Sequence, residues 1–290
     1  MSGHDNMWTN YHTHSNFCDG KSQLSDVVTS ALSKDIFSMG FSSHAPLPFE
    51  KHWAMRKENL QPYLKEIHHL RETHKNFMEI YAGLEVDYIP GITGPKNFSA
   101  LLDYTIGSVH MIESFPDGRH WEIDGSQASF REGLDALFAK DNNEAIHLYF
   151  ERTRQMVSES PPDIVGHFDK IKIQNINDWL FKESDSWYQD EIKKTLKAFK
   201  AAGVIVEVNT RGVYQKKTPF TYPSPWILEL ILKDQMPVTI SSDAHHPDDL
   251  INYFPETAVT LGRIGFKKIR ILLNGSWQDV AFDENGIKLN

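Results

Sequence analysis

The stretch WYQDEIKKTLKAFKAAGVIVEV, residues 187–208, carries the pattern that decides the fold. Up to Ala202, apolar residues recur every three or four positions with charged residues between them, which is typical of a helix with one buried face. Gly203 is the residue type that most often follows a helix end. Residues 204–208 then form a short, mostly β-branched run that favours a strand. The stretch therefore predicts a helix followed directly by a buried strand.

The same alternation of helical segments and short apolar runs extends along the chain. We predict further helices at residues 24–33, 57–74 and 142–157, and further strands at residues 8–13, 36–41, 77–86, 104–109, 163–166, 237–240 and 268–272. Strands that alternate with helices form parallel β-α-β units. Eight such strands suit an α/β fold of the TIM-like barrel type better than an open sheet.

The composition limits the class of protein. A chain of 290 residues with 40% hydrophobic residues can bury a large core, and we expect residues 1–290 to form one domain because no repeat or linker interrupts them. The net charge of -9 argues against nucleic acid as a partner. The single cysteine, Cys18, excludes an internal disulfide. Without a signal-peptide pattern or a membrane-spanning apolar run, we expect a cytoplasmic protein with no membrane partner.

Histidines and carboxylates recur where the predicted strands end. The carboxyl ends of parallel barrel strands converge on one face, where active sites of this architecture are built. His12 and His14 have the i, i+2 spacing that projects two side chains to the same side of a strand, and Asp243 and His245 repeat it. The candidate metal ligands found in this way are His12, His14, Asp19, His44, Glu85, His110, His167, Asp243 and His245.

This set is too large for one ion. A catalytic zinc ion has about four ligand positions, one of them open, so the set suits two or three divalent ions that share a bridging carboxylate. Imidazole and carboxylate without thiolate fit Zn, Mn or Fe. Burying so many of these groups without a cation would cost several kcal/mol each. The residues thus predict a metal-dependent hydrolase.

Six short motifs, in order along the chain, resemble the PHP (polymerase and histidinol phosphatase) superfamily. They are HTHSNFCDG at 12–20, SSHAP at 42–46, GLEVD at 83–87, GSVH at 107–110, VGHFD at 165–169 and SSDAHHP at 241–247. With EIDGS at 122–126 and EVNTRG at 207–212, the chain more narrowly resembles the monofunctional histidinol-phosphate phosphatases. The resemblance implies a distorted (β/α)7 barrel, one strand fewer than the pattern predicts. It also implies hydrolysis of L-histidinol phosphate to L-histidinol and phosphate in histidine biosynthesis.

The resemblance further implies how the ligands are shared among three ions. His12, His14, Glu85 and Asp243 would hold one ion, His110 and His167 a second that shares Glu85, and Asp19, His44 and His245 the third. A hydroxide that bridges two ions would attack phosphorus. Metal-bound water, His245 or Asp243 would then deliver a proton to the leaving alcohol.

Three basic residues outside this set are candidates for binding the substrate. Arg211 follows the strand at 204–208, and its planar guanidinium can make two charge-assisted bonds to a phosphate. His246 adjoins a candidate ligand. Arg119 lies in residues 111–127, a polar and aromatic stretch that we interpret as a long βα loop with Phe115 and Trp121 as a possible lid.

Three other functions fit the same residues. The chain could be a PHP-type phosphatase or phosphodiesterase that acts on another small phosphate ester or a nucleotide. An amidohydrolase also places an HxH pair on its first strand, although it requires a smaller cation cluster. A non-catalytic metal-binding protein is the third alternative, but a cluster beside a long polar loop is open to solvent. We therefore expect an enzyme whose partner is a small phosphate ester.

Overall fold

The computed structural model describes residues 7–289. Within this range the strands are β1 (Trp8–Asn10), β2 (Ile36–Phe41), β3 (Glu79–Asp87), β4 (Tyr104–Ser108), β5 (Met111–Ser114), β6 (His120–Glu122), β7 (Ile164–Val165), β8 (Ile205–Asn209), β9 (Val238–Ser241), β10 (Lys268–Leu273), β11 (Ser276–Asp283) and β12 (Gly286–Lys288). The helices are α1 (Leu24–Ser33), α2 (Leu60–His74), α3 (Gln127–Phe138), α4 (Asn142–Glu159), α5 (Ser186–Ala202), α6 (Arg211–Tyr214), α7 (Pro225–Lys233) and α8 (Phe254–Ile264). In this part of the chain, no helix is long and apolar enough to cross a membrane.

The helix and strand predicted from residues 187–208 are confirmed as α5 and β8. Ile192, Leu196 and Phe199 lie on the buried face of α5. Gly203 follows the helix with a φ of 70°, which glycine adopts without the steric penalty of a side chain, and its N–H bonds to the carbonyl of Phe199 at 2.9 Å. The chain can therefore turn at once from the helix into the barrel wall.

Seven strands form one parallel sheet in the order β1, β2, β3, β4, β7, β8, β9. The two outer strands meet just beyond their carboxyl ends, where Thr13 and Ala244 form a parallel bridge. The His14 N–H bonds to the carbonyl of Ala244 at 2.8 Å, and the Ala244 N–H bonds to the carbonyl of His12 at 3.2 Å. The sheet is thus a distorted, nearly closed (β/α)7 barrel.

The prediction of eight barrel strands is wrong by one, because residues 268–272 belong to β10 of a separate antiparallel sheet with β11 and β12. This sheet packs against the amino end of the barrel. The Tyr11 hydroxyl bonds to the carbonyl of Leu272 at 3.0 Å, and the ring of Trp277 lies 5.4 Å from that of Tyr11. An apolar run does not reveal which strand will pair with it, so its periodicity could not separate a barrel strand from this layer.

The long loop predicted for residues 111–127 is instead an antiparallel hairpin of β5 and β6. Trp121 is only 2% exposed and packs against Phe130 and Phe138 of α3, with ring centroids 5.0 and 5.3 Å away. Trp121 is therefore a core residue and not a lid. Its inward position fixes the hairpin beside the carboxyl ends of the barrel strands.

Candidate metal centre

All nine candidate ligands lie at the carboxyl ends of the barrel strands. They follow or end β1 (His12, His14, Asp19), β2 (His44), β3 (Glu85), β4 (His110), β7 (His167) and β9 (Asp243, His245). The Thr13–Ala244 bridge brings the first and last of these segments together. These strands are largely buried, and the candidate ligands stand near or just beyond their last residues.

Glu85 is at the centre of the cluster. Its Oε2 lies 3.3 Å from His12 Nε2, 3.5 Å from His14 Nε2 and 3.1 Å from His44 Nδ1. Its other oxygen, Oε1, lies 3.0 Å from His167 Nε2 and 3.7 Å from His110 Nε2. One carboxylate therefore faces five imidazoles, a position that suits a bridging ligand.

Asp243 closes the cluster from the opposite side of the barrel. Its Oδ1 lies 3.3 Å from His14 Nε2 and 3.8 Å from His12 Nε2. Its backbone φ of 51° is in the left-handed region. This conformation costs about 1–3 kcal/mol in a non-glycine residue and is concentrated at functional sites.

Asp19 reaches the cluster from the turn after His14. Its Oδ2 is 3.2 Å from His245 Nε2, and its Oδ1 is 3.7 Å from His14 Nδ1. The rings of His14 and His245 are stacked with centroids 4.0 Å apart. Asp19, the least buried of these groups, thus lies at the rim of the cluster.

The donor atoms fit divalent cations. Atoms that could share an ion lie within 4.8 Å of one another in four overlapping groups: His14, Asp19, His44 and His245; His12, Glu85 and His167; His12, His14 and Asp243; and His44, Asp87 and His110. In the described part of the chain, His12 Nε2, His14 Nε2, His44 Nδ1 and Asp19 Oδ1 are buried without a hydrogen-bond partner. Buried polar atoms are normally satisfied, and cations among these groups would satisfy all four.

The electrostatics of neighbouring histidines differ. Burial and repulsion from His245 and His44 lower the pKa of His14 well below its usual value, so its ring is neutral and keeps a lone pair. Burial also opposes protonation of His12, but the carboxylates of Glu207, Asp243 and Glu85 outweigh it and raise its pKa well above the usual value. The carboxylates around His12 therefore carry more negative charge than the neighbouring imidazoles neutralise.

Two carboxylates that sequence reasoning missed accept hydrogen bonds from candidate ligand histidines on the side away from the cluster. Asp87 accepts a hydrogen bond from His110 Nδ1 at 2.9 Å, and Glu207 accepts one from His12 Nδ1 at 2.6 Å. Asp87 lies two residues after Glu85 in β3, and Glu207 lies two residues before Asn209 in β8. Each carboxylate therefore shares a strand face with another polar side chain. A charged residue inside an apolar strand was the signal available, since such a residue is rarely buried without a partner.

A cleft of about 330 Å³ opens above the cluster. Arg211, a predicted phosphate ligand, lines it with its Nη1 against the backbone carbonyl of Asp243 and His245 Nδ1. Lys170, which sequence reasoning missed, lies 2.9 Å from Asp124 and 3.2 Å from His110 Nε2. Lys217 is a third cation in the wall. The cleft thus combines a dense group of metal-binding side chains with three cationic side chains.

The other two predicted substrate residues lie outside this cleft. The His246 side chain is 52% exposed and accepts a hydrogen bond from the Asp248 N–H at 3.2 Å. Arg119 is 59% exposed on the hairpin, where it pairs with Asp117 at 2.8 Å and Glu132 at 3.3 Å. Their neighbours in the fold, rather than the cluster, satisfy both side chains, and the proposed site omits them.

Known proteins resemble this chain over most of its length. It is 28% identical over 261 residues to a Schizosaccharomyces pombe protein named probable histidinol-phosphatase, covering 83% of this chain and 82% of that protein. It is 27% identical over 259 residues to the Bacillus subtilis histidinol-phosphatase, covering 82% and 94%.

A solved structure has the same fold. Histidinol phosphate phosphatase (HisK) of Lactococcus lactis, in complex with Zn, L-histidinol and phosphate, superposes with a TM-score of 0.69 at 18% identity and covers 98% of this chain and 99% of that one. The family model of the PHP domain matches residues 10–211, more than half of the chain. Seven of the nine candidate ligands lie within the matched residues, and the chain belongs to the PHP domain family.

Proposed function

We propose that this protein is a metal-dependent phosphomonoesterase whose substrate is L-histidinol phosphate. The observation that carries the proposal is the group of nine histidine, aspartate and glutamate side chains with Glu85 at its centre. Within the described residues, several of its buried ring nitrogens have no hydrogen-bond partner, and the group lies beside cationic side chains in one open cleft. The names of the relatives and the zinc, histidinol and phosphate bound to the Lactococcus lactis enzyme support the same substrate and zinc as a metal.

Two or three divalent ions, Zn, Mn or Fe, would be held by the candidate ligands. Bound at such a site, they would supply positive charge to the phosphoryl group and hydroxide at neutral pH. A phosphate monoester dianion resists attack in water because its own charge repels the nucleophile, so this cationic environment is the main requirement of the reaction.

The chain's own cations would bind and orient the phosphate. Arg211 presents a guanidinium held by Asp243 at one edge of the cleft. Lys170 approaches from the other side, where burial opposes its charge but Asp124 outweighs burial and raises its pKa above the usual value. Both side chains are therefore charged at neutral pH and can each donate to phosphate oxygens.

The outer wall of the cleft suits an organic group with polar nitrogen atoms. His52, Trp53 and Glu122 line this wall. Glu122 accepts hydrogen bonds from Lys51 and Trp53 Nε1, which fixes it at the mouth. We propose that the imidazole and ammonium groups of histidinol lie here, and that His245, or Asp243 once it has taken up the proton of the attacking water, delivers a proton to the leaving alcohol.

The test measures bound metal and phosphate release together. Purified protein loaded with Zn or Mn should release phosphate from histidinol phosphate with a kcat/KM well above that for a panel of sugar phosphates, nucleotides and a phosphodiester. Equal rates across the monoesters would reject the substrate but keep the phosphatase. Metal-loaded protein that releases no phosphate from any of them would reject the enzyme.

A further inference from the structure

Glu207 is a buried carboxylate that the reaction itself does not use. It lies in β8 between Val206 and Val208 and has an exposure of 0%. Its Oε1 accepts a hydrogen bond from His12 Nδ1 at 2.6 Å. Its Oε2 accepts from the His167 N–H at 2.8 Å and from Asn209 Nδ2 at 3.0 Å. One side chain thus bonds to segments that follow β1 and β7.

The charge of Glu207 has no lysine or arginine beside it. Among residues 7–289, its ion-pair partner is His12. A buried carboxylate without a cation costs several kcal/mol. The nearest place for a compensating cation is the far side of the His12 ring, where Nε2 is without a hydrogen-bond partner and faces Glu85 Oε2 at 3.3 Å.

In the hydrogen bond between His12 and Glu207, the chemistry of the carboxylate decides which residue donates. A carboxylate can only accept, so Nδ1 donates its proton to Glu207, and a cation bound on the far side of the ring would take the Nε2 lone pair in place of a proton. The same carboxylate holds the backbone of His167 through its N–H. His167 Nε2 in turn faces Glu85 at 3.0 Å. Glu207 therefore sets the orientation of two candidate ligands from different strands.

We propose that Glu207 is a positioning residue of the metal centre, which holds His12 with Nε2 toward the cation and ties His12 to His167. The inference rests on the proposed metal-dependent function. It assigns to Glu207 an effect on metal affinity, because a carboxylate behind a ligand histidine fixes its tautomer and increases its basicity.

Glutamine cannot replace this carboxylate although it has the same shape. Three donors point at the two oxygens of Glu207. In Glu207→Gln one oxygen becomes an NH2 group, which must face either His12 Nδ1–H or the His167 N–H and Asn209 Nδ2–H, so at least one donor meets a donor. The imidazole can respond by exchanging tautomers, which would remove its lone pair from the cluster.

The experiment compares Glu207→Gln with Glu183→Gln in the metal-loaded protein. Glu183 also accepts two side-chain hydrogen bonds, from Ser224 Oγ and Trp226 Nε1, both at 2.6 Å, but it lies outside the cluster. Competition with a chelator for zinc should show an affinity for at least one ion about 10- to 100-fold lower in Glu207→Gln, and wild-type affinity in Glu183→Gln. With excess zinc, kcat of Glu207→Gln should recover while KM stays close to the wild-type value.

Wild-type zinc affinity in a folded Glu207→Gln would overturn the proposal. If that variant does not fold, the crystal structure of the zinc-loaded wild-type protein decides. His12 bound to zinc through Nε2, with Nδ1 on Glu207, supports the proposal; His12 bound through Nδ1, or Glu207 turned away, overturns it. Wild-type protein that binds no zinc and releases no phosphate would instead reject the proposed function, so the two failures are distinguishable.

Discussion

Arg211 and His12 each contact different groups on their two sides. Arg211 donates to the backbone carbonyl of Asp243 and to His245 while it lines the cleft. His12 faces Glu85 with one nitrogen and Glu207 with the other. At the residue scale, the protein therefore couples each group that would meet the substrate or a metal to a buried partner that fixes its direction.

Arg211→Ala should raise KM for a phosphate monoester about 10- to 100-fold, since a hydrogen bond to a charged group contributes about 1.5–3 kcal/mol. Bound zinc should change little, because none of the candidate ligands is removed. Steady-state kinetics with elemental analysis would measure both. Arg119→Ala is the matched control, since Arg119 is an ion-paired arginine outside the cleft. If both variants have the wild-type KM, Arg211 does not bind the phosphate.

At the element scale, glycines let one aromatic side chain fill the barrel interior. Tyr104, the first residue of β4, is 1% exposed, and its hydroxyl donates to the carbonyls of Tyr11 and Phe41. A Cβ added at Gly40 or Gly83 would overlap its ring. The ring of Tyr104 therefore crosses two strands toward β1, and this crossing supports the strand that presents His12 and His14.

Gly83→Ala should lower the free energy of unfolding by about 1–3 kcal/mol, because the added methyl group forces the Tyr104 ring out of place. Gly262→Ala should have the opposite sign. Gly262 lies in α8 with open space around its Cβ, and alanine is favoured over glycine in a helix by about 0.5–1 kcal/mol. Denaturant unfolding would measure both changes. Equal stability of Gly83→Ala and wild type would show that the ring is not packed as described.

Helices and strands could be predicted from the sequence better than the pairing between them. The helices at 24–33, 142–157 and 187–202 could be predicted because each has a continuous apolar stripe, and the parallel strands because they alternate with such helices. The β5–β6 hairpin was missed because its strands are only four and three residues long, too short to show a regular alternation of apolar and polar residues. Lys170 was missed because it lies in the short 3-10 turn Lys170–Gln174, which has no periodic signal.

At the candidate metal centre, the positions of the candidate ligands could likewise be predicted from the sequence better than their contacts. Their strand-end positions follow from local pattern, so nine of them could be named before their contacts were known. Glu207 could not be given a role in this way, because its partners His12 and His167 lie in distant segments of the chain. Contacts across a barrel depend on which strands become neighbours, and this is a property of the whole sheet.

At the scale of the whole molecule, one end of the barrel is covered by a second sheet and the other end carries the candidate ligands. The antiparallel sheet of β10 to β12 covers the amino end, where the Ile287 N–H bonds to the carbonyl of Met7 at 2.7 Å and the Asn274 N–H bonds to Glu79 Oε2 at 3.1 Å. The carboxyl end collects candidate ligands from six strands and the loops after them. A cation bound there would join segments from both edges of the parallel sheet, so metal binding should stabilise the entire barrel and not only the cleft.

Removal of metal should therefore lower Tm of the wild-type protein. Free zinc at 100 times its Kd stabilises a folded protein by about 2.7 kcal/mol per site, and 1 kcal/mol corresponds to about 2–4 °C in a chain of this size class.

His14→Ala should lose much of this zinc-dependent increment in Tm, because His14 belongs to two of the candidate ion groups. Trp187→Ala should lower Tm equally with and without zinc, since Trp187 of α5 packs against His147 and Phe181, away from the candidate ligands. Calorimetric scans with zinc or EDTA would measure the increments. A full zinc increment in His14→Ala would remove His14 from the metal centre, and a reduced one in Trp187→Ala would mean that the loss is not specific to the cluster.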